Sequence, residues 1–240
     1  MKRVRQRRRG KGSPVYRANS HKFKAAVAYK TYDDAEKNSI IKGEVIDLMH
    51  DPARTAPIMV IKFDEQTIAL PAIMGVVKGS IIEAGTSATI VEGNYLPLKS
   101  IPEGTLISNI ELTPGDGGKV VRTAGSKAKI VNKEKNSVTI QLSSKKFKKI
   151  NNNCRATIGV IAGGSHKLKP LIKAGNTYYK MKAKGVKWPI VSGSKRNAYE
   201  HPHGGKQHKM TKNKTVGRNA PPGAKVGSFG ARRTGRSKRK

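Results

Sequence analysis

Ser137-Val-Thr-Ile-Gln-Leu142 decides the fold class. Val138, Ile140 and Leu142 alternate with Thr139 and Gln141, the period-two pattern of a strand with one face buried and the other in water. Lys133-Glu-Lys-Asn136 in front of it reads as a polar hairpin turn. Working outward, residues 106–112, 119–123, 129–132, 146–150 and 156–161 are further short β-type runs, which together predict a small barrel of SH3-like size. Upstream, residues 43–48, 58–63, 67–70, 80–83 and 88–92 are Ile- and Val-rich and are separated by Gly, Pro, Asp or Thr. Roughly five strands in about 55 residues is the size of a closed barrel of the OB type. Residues 94–102, Asn-Tyr-Leu-Pro-Leu-Lys-Ser-Ile-Pro, read as the linker between the two. The fold class predicted is therefore mainly β: an OB-type barrel (40–95), then an SH3-like barrel (96–175), with long basic N- and C-terminal extensions (1–39 and 176–240).

Charge separates these parts. The formal net charge is +34 over 240 residues, yet residues 33–116 carry 13 of the 15 acidic side chains against 6 basic ones, a net of −7. Residues 1–30 hold 11 Lys and Arg with no acid, and residues 201–240 hold 12 with none. Such segments bury too little apolar surface to fold alone, so their shape comes from a partner. Their charge makes that partner a polyanion, with nucleic acid first because neutralising phosphates releases counterions. No amphipathic basic helix, long apolar run, signal peptide or lipidation signal points to a membrane. The single cysteine, Cys154, excludes an internal disulfide framework and fits a reducing compartment. One Trp and four Phe argue against the usual single-strand stacking platform.

Several motifs invite chemistry. His50-Asp-Pro-Ala-Arg-Thr-Ala-Pro57 is a loop, because Pro52 and Pro57 cannot donate to a ladder. Its His-Asp pair has no nucleophile with suitable flanks, so turn and cap duties are favoured over half of a triad. Pro114-Gly-Asp-Gly-Gly-Lys119 lacks the ending of a P-loop and precedes no long helical pattern, which excludes nucleotide binding. A backbone approach to an RNA phosphate and a plain β-turn both remain open for it. Residues 166–174 have a short basic helical look, with Leu168, Leu171 and Ile172 on one side. Tyr178, Tyr179 and Trp188 then stand among four lysines, either to meet RNA or to cap the second barrel. Phe23, Val27 and Tyr29 give the first extension apolar anchors for docking into a groove.

These residues resemble a known family, that of the universal large-subunit ribosomal protein number two (the L-two family), nearer its archaeal and eukaryotic branch than its bacterial one. The resemblance rests on His50-Asp-Pro-Ala-Arg54, Leu96-Pro-Leu98 with Ile101-Pro-Glu-Gly104, and Pro114-Gly-Asp-Gly-Gly118. It continues through Cys154-Arg-Ala-Thr-Ile-Gly159, Lys173-Ala-Gly175, His201-Pro-His-Gly-Gly205, Arg218-Asn-Ala-Pro-Pro-Gly223 with Lys225-Val-Gly227, and Ala231-Arg-Arg-Thr-Gly-Arg236. It implies the same pair of barrels, two extensions buried in large-subunit ribosomal RNA, and a C-terminal extension reaching toward the peptidyl transferase centre. It further implies contact with small-subunit RNA at an intersubunit bridge, contact with other ribosomal proteins, and a part in subunit joining and tRNA binding. Ser192-Gly-Ser-Lys-Arg-Asn197, Glu200 and Lys206 depart from the pattern of relatives, and Lys206 removes a permissive glycine position.

The side chains expected to contact RNA are Arg3, Arg5, Arg7, Arg8, Arg9, Lys11, Arg17, His21, Lys22, Lys24, Lys119, Arg122, Arg155, Lys180, Lys182, Lys184, Lys195, Arg196, His201, His203, Lys206, His208, Arg218, Arg232, Arg233 and Arg236. The resemblance sets Glu200, His201, His203, Gly204 and Gly205 nearest the peptidyl transferase centre. Glu200 beside His201 suggests a carboxylate-oriented base, but neighbours in sequence seldom achieve that geometry. His201, His203 and His208 could supply metal ligands, yet no Cys and no second carboxylate completes a set. RNA packing is the favoured role, over peptidyl transfer or metal. The expectation is a cytoplasmic, ribosome-bound structural protein without cofactor, metal or enzymatic activity. Its rival is a chromatin or DNA-packaging protein using similar arms.

Overall fold

The computed structural model describes residues 16–64, 66–205 and 215–231. The chain divides into two compact units, Ser20–Pro170 and the segments on either side of it.

The Ser20–Pro170 unit is built on one ten-stranded sheet, and the chain is mainly β as its alternation requires. A short helix α1 (Asp34–Asn38) leads into β1 (Ile41–Met49), β2 (Ile58–Phe63), β3 (Gln66–Pro71), β4 (Ile81–Ala84) and β5 (Tyr95–Pro97). There follow β6 (Leu106–Ser108), β7 (Ala128–Lys133), β8 (Ser137–Gln141), β9 (Phe147–Asn151) and β10 (Arg155–Ile158). The strands lie side by side in the order β3-β2-β1-β4-β5-β10-β6-β7-β8-β9. Beyond β3 the chain pairs with the stretch that follows β10, through Ile73 and Ile161, and this closes the first half into a barrel of the OB type. The second half, β10-β6-β7-β8-β9, has the SH3-like order. Strand β10 serves both, pairing with β5 on one side and β6 on the other.

Two apolar clusters fill the barrels. Val45, Met59, Ile61, Phe63, Leu70, Ile73, Ile82 and Tyr95 form the first, and Leu96, Leu98, Ile101, Ile107, Ile130, Val138, Ile140, Cys154 and Ile158 the second. Each large side chain so buried is worth about 1.5–3 kcal/mol. Tyr29, from the segment before β1, stacks on Tyr95 at 4.7 Å, and Val27 is also buried. These two anchors therefore sit in the protein's own core rather than offering themselves to a partner's groove.

Three local expectations change. Residues 88–92 form no strand; at their centre Asn94 Nδ2 donates to the Thr89 carbonyl and the Thr89 N–H donates to Glu83, so the backbone of Thr89 is bonded to side chains rather than to a ladder. Residues 94–102 are no linker: they contain β5 and a 3-10 turn (Leu98–Ser100), and Tyr95, Leu96, Leu98 and Ile101 are buried. The prolines that suggest a linker fall at the end of β5 and just past that turn. Residues 119–123 make only the bridge Ile110–Val120, since Val121 takes φ 57°, a left-handed conformation unfavourable for a β-branched residue.

The short helix expected over 166–174, a stretch that spans the boundary between the two units in sequence, is absent. A 3-10 turn (Gly164–Lys167) precedes Pro170, which disfavours helix at the residue before it. Helix α2 (Ala174–Ala183) starts only beyond it and none of its residues is buried. Among the described residues of the C-terminal segment, β11 (Thr215–Val216) lies parallel beside β12 (Ser228–Phe229).

Candidate nucleic-acid interface

Most expected cations that fall within the described residues are at the surface. Arg17, His21, Lys22, Lys24, Lys119, Lys180, Lys182, Lys184, Lys195 and Arg218 are exposed, as is Glu200. On α2, Lys182 lies 6.0 Å from the Tyr178 ring, and Tyr178 meets Tyr179 edge-on. Those rings are exposed and cap no core. Arg3, Arg5, Arg7, Arg8, Arg9, Lys11, Lys206, His208, Arg232, Arg233 and Arg236 lie outside the described residues.

Two expected contacts are structural instead. Arg155 is 1% exposed, with Nη2 donating to Glu111 at 2.8 Å and Nη1 to Glu36 at 2.9 Å. Its guanidinium also lies over the rings of Tyr29 and Tyr32. A guanidinium held by two buried carboxylates offers nothing to phosphate, so Arg155 leaves the set of surface contacts. Arg122 is half-buried and donates to the carbonyls of Gly118 and Val27, clipping the N-terminal segment to the glycine loop.

That loop is spoken for as well. Glu111 accepts from the N–H groups of Gly115, Gly117 and Arg155, and Asp116 from those of Leu112, Thr113 and Gly118. A phosphate cradle needs free N–H groups pointing outward. Here the chain's own carboxylates fill that role, and the loop is an internally closed turn. In the 50–57 loop, buried Asp51 accepts from Ala53 N, Arg54 Nε and Lys24 N, so it closes a turn and tethers the N-terminal segment. Cys154 is buried beside Glu111, and burial pushes its thiol up to about 12.

The histidine loop has a defined seat. His201-Pro-His-Gly204 is a turn closed by Gly204 N donating to His201 O at 2.8 Å, with Pro202 at the position whose φ it suits. A Cβ on Gly204 would run into the carbonyls of Arg196 and Asn197, so only glycine allows this approach. Gly193, in the 3-10 turn Gly193–Lys195, leaves the space that the His201 ring occupies. The departing stretch 192–197 is thus the bed of the loop. His201 also helps to wall a cavity of about 570 Å³ with Tyr16, Ile190, Arg196 and Lys225.

The imidazoles are poorly disposed for proton transfer. His203 N–H donates to His201 Nδ1 at 3.0 Å, which fixes the neutral ring with its proton on Nε2. Its one lone pair is therefore occupied. Burial first, then the charges of His203 and Arg196, hold His201 below the ordinary imidazole range. Glu200 is not oriented toward it and instead accepts from Tyr199 Oη at 3.4 Å. The rings of His201 and His203 meet edge-on at 4.8 Å, and no three His, Cys, Asp or Glu side chains gather as a metal set among the described residues.

A family model described as "Ribosomal Proteins L2, C-terminal domain" matches residues 91–225. Three archaeal proteins named "Large ribosomal subunit protein uL2" are similar to the chain along nearly its whole length. That of Methanothermobacter thermautotrophicus is 47% identical over 240 residues, covering 98% of this chain and 98% of its own. The chain belongs to the uL2 family. The uL2 proteins of Methanosphaera stadtmanae (47% over 234 residues; 95% of this chain, 96% of the relative) and Methanopyrus kandleri (46% over 243; 100% and 99%) agree. Membership of the uL2 family makes this a ribosomal protein.

The buried Glu36–Arg155–Glu111 cluster was not foreseen. The only hint in the sequence is that Glu111 stands between the apolar Ile110 and Leu112, a weak signal at best.

Proposed function

We propose that the chain is a structural constituent of the large ribosomal subunit that binds its ribosomal RNA. The paired barrels (40–95 and 96–175) act as the folded core and the extensions (1–39 and 176–240) as RNA-penetrating arms. The observation that carries this is end-to-end identity of 47% with a protein named for the large ribosomal subunit. Exposed arm lysines and arginines, and a helix α2 with no buried residue, are what a chain completed by a polyanionic partner needs.

In this reading the C-terminal arm reaches toward the peptidyl transferase centre, and Glu200, His201, His203, Gly204 and Gly205 form its tip. The chain supports subunit association and tRNA binding, meets small-subunit RNA at a bridge, touches other ribosomal proteins, and works in the cytoplasm within the ribosome. Its contribution to peptide-bond formation is positional: the occupied lone pair of His201 favours packing over proton transfer.

Sedimentation of a lysate containing the tagged chain tests this directly. Co-migration with the large subunit is expected; co-migration with free nucleoid instead would overturn it. Binding to the isolated ribosomal RNA should also weaken steeply with salt, by a logarithmic slope of about 0.9 per neutralised phosphate on duplex and about 0.7 on single strand.

A further inference from the structure

The outer face of β7-β8-β9 carries a row that neither the core nor the arms account for. Lys129 on β7 is in register with Gln141 on β8, and Gln141 with Phe147 on β9. Residues in register across antiparallel strands point to the same face. The opposite face holds Ile130 and Ile140, both fully buried, so this row faces outward. Phe147 is 63% exposed, Lys129 is exposed and Gln141 is half-buried. None of these three side chains forms a hydrogen bond or ion pair among the described residues. Lys146 and Lys148 are exposed on the same edge strand but alternate with Phe147, Lys148 being in register with buried Ile140, so both project to the other face, while Lys149, on the face of Phe147, is paired with Glu134 at 2.6 Å.

Lysines on β9 alone have a simple explanation, since β9 ends the sheet and charged side chains protect such an edge from pairing with another chain. Phe147 does the opposite, because an exposed ring on an open edge adds to that risk. Its presence calls for an occupant. Lys129 in the row, with Lys146 and Lys148 exposed along the same edge strand, sets that occupant's charge as negative, and the flat ring asks for a flat partner.

We propose that this row is a platform for one unpaired nucleotide of an RNA strand. The base stacks on Phe147, Gln141 offers an amide donor and acceptor to the base edge, Lys129 meets a flanking phosphate, and Lys146 and Lys148 meet the strand where it passes over the edge of β9. Roughly 10 Å separates the Phe147 and Lys129 strands, two strand spacings, which a lysine side chain easily bridges toward the neighbouring phosphate. A stacked base needs no particular sequence, because every base presents a π-face. The platform rests on the RNA-binding function proposed above and adds to it a site on the second barrel, away from both arms in sequence.

The test compares the full-length chain with its Phe147→Ala and Phe147→Trp variants on two probes, a short oligoadenylate and an abasic ribose-phosphate chain of the same length. The arms neutralise phosphate equally on both, so the difference between probes reports on the base. Phe147→Ala should lose on the order of 5- to 100-fold on oligoadenylate and almost nothing on the abasic chain. Phe147→Trp should retain binding and show fluorescence quenching by oligoadenylate alone. Unchanged affinity of Phe147→Ala for oligoadenylate, or equal losses on both probes, overturns the platform while leaving RNA binding in place. Failure of the unaltered chain to bind either probe overturns RNA binding itself. In intact large subunits, a photo-crosslinker at position 147 should capture RNA; capture of a protein neighbour there instead overturns the platform.

Discussion

Arg155 Nη1 donates to the Glu36 carboxylate at 2.9 and 3.1 Å across 119 positions of the chain. Through that contact the short helix before the first barrel is tied to the strand shared by both barrels. Glu111 completes the cluster, accepting from Nε and Nη2 of the same guanidinium. All three side chains are essentially out of water. Such a cluster is expensive to assemble and more expensive to break, because removing the cation strands two carboxylates in an apolar setting.

Replacing Arg155 with Met should therefore cost about 3–5 kcal/mol of stability at neutral pH, measured by urea unfolding of the full chain. Part of the loss should return on acidification, since protonating the stranded carboxylates removes the uncompensated charge. A loss under about 1 kcal/mol would place Arg155 among ordinary surface pairs instead.

The two carboxylates should behave differently. Glu111 also accepts three backbone N–H groups, so Glu111→Ala should disorder the glycine loop and destabilise more than Glu36→Gln. Burial raises the Glu36 pKa, with the Arg155 charge opposing it. A raised carboxyl pKa gives stability that is complete below the unfolded value of about 4.3 and fades as pH rises through the folded value. Glu36→Gln should abolish that decline, so the variant gains on the parent as pH rises through the window. Parallel stability profiles for the two proteins would refute the assignment.

Residues 20–170 expressed alone should unfold in a single cooperative transition, because both apolar clusters and the ion cluster lie within that unit. Deleting residues 198–240 from the full chain should weaken incorporation into particles yet preserve the same transition. A broad, non-cooperative melt of the 20–170 piece would mean that the flanking segments complete the fold.

His201 should titrate below the ordinary imidazole value of about 6.5, as read from its ring-proton shifts by NMR. With a depressed folded pKa, the loop's contribution is intact above that value and declines as pH falls, because the unfolded chain takes up the proton first. In assembled ribosomes His201→Gln should slow peptide-bond formation by less than about tenfold, short of the ~10²–10⁴-fold typical of a proton-transferring group. A larger loss in particles of normal composition would give the imidazole a chemical role.

The sequence by itself determined the β class, the two barrels and the separation of charge. Alternation at Val138 and Ile140 and the Ile-Val runs at 58–63 and 67–70 are local signals, set by neighbours one or two residues away, and the strands formed there. It also located the histidine loop and the exposed arm cations, since runs of like charge without apolar residues must face solvent or a partner. Tertiary structure alone decided the fate of Arg155, of the glycine loop and of residues 94–102. Whether a guanidinium meets phosphate or carboxylate depends on Glu111 and Glu36, which lie 44 and 119 positions away. Whether a glycine loop has N–H groups to spare depends on which side chains fold back over it. Burial is a property of the whole packed chain, and the energetic cost of an unpaired buried charge makes those distant partners decisive.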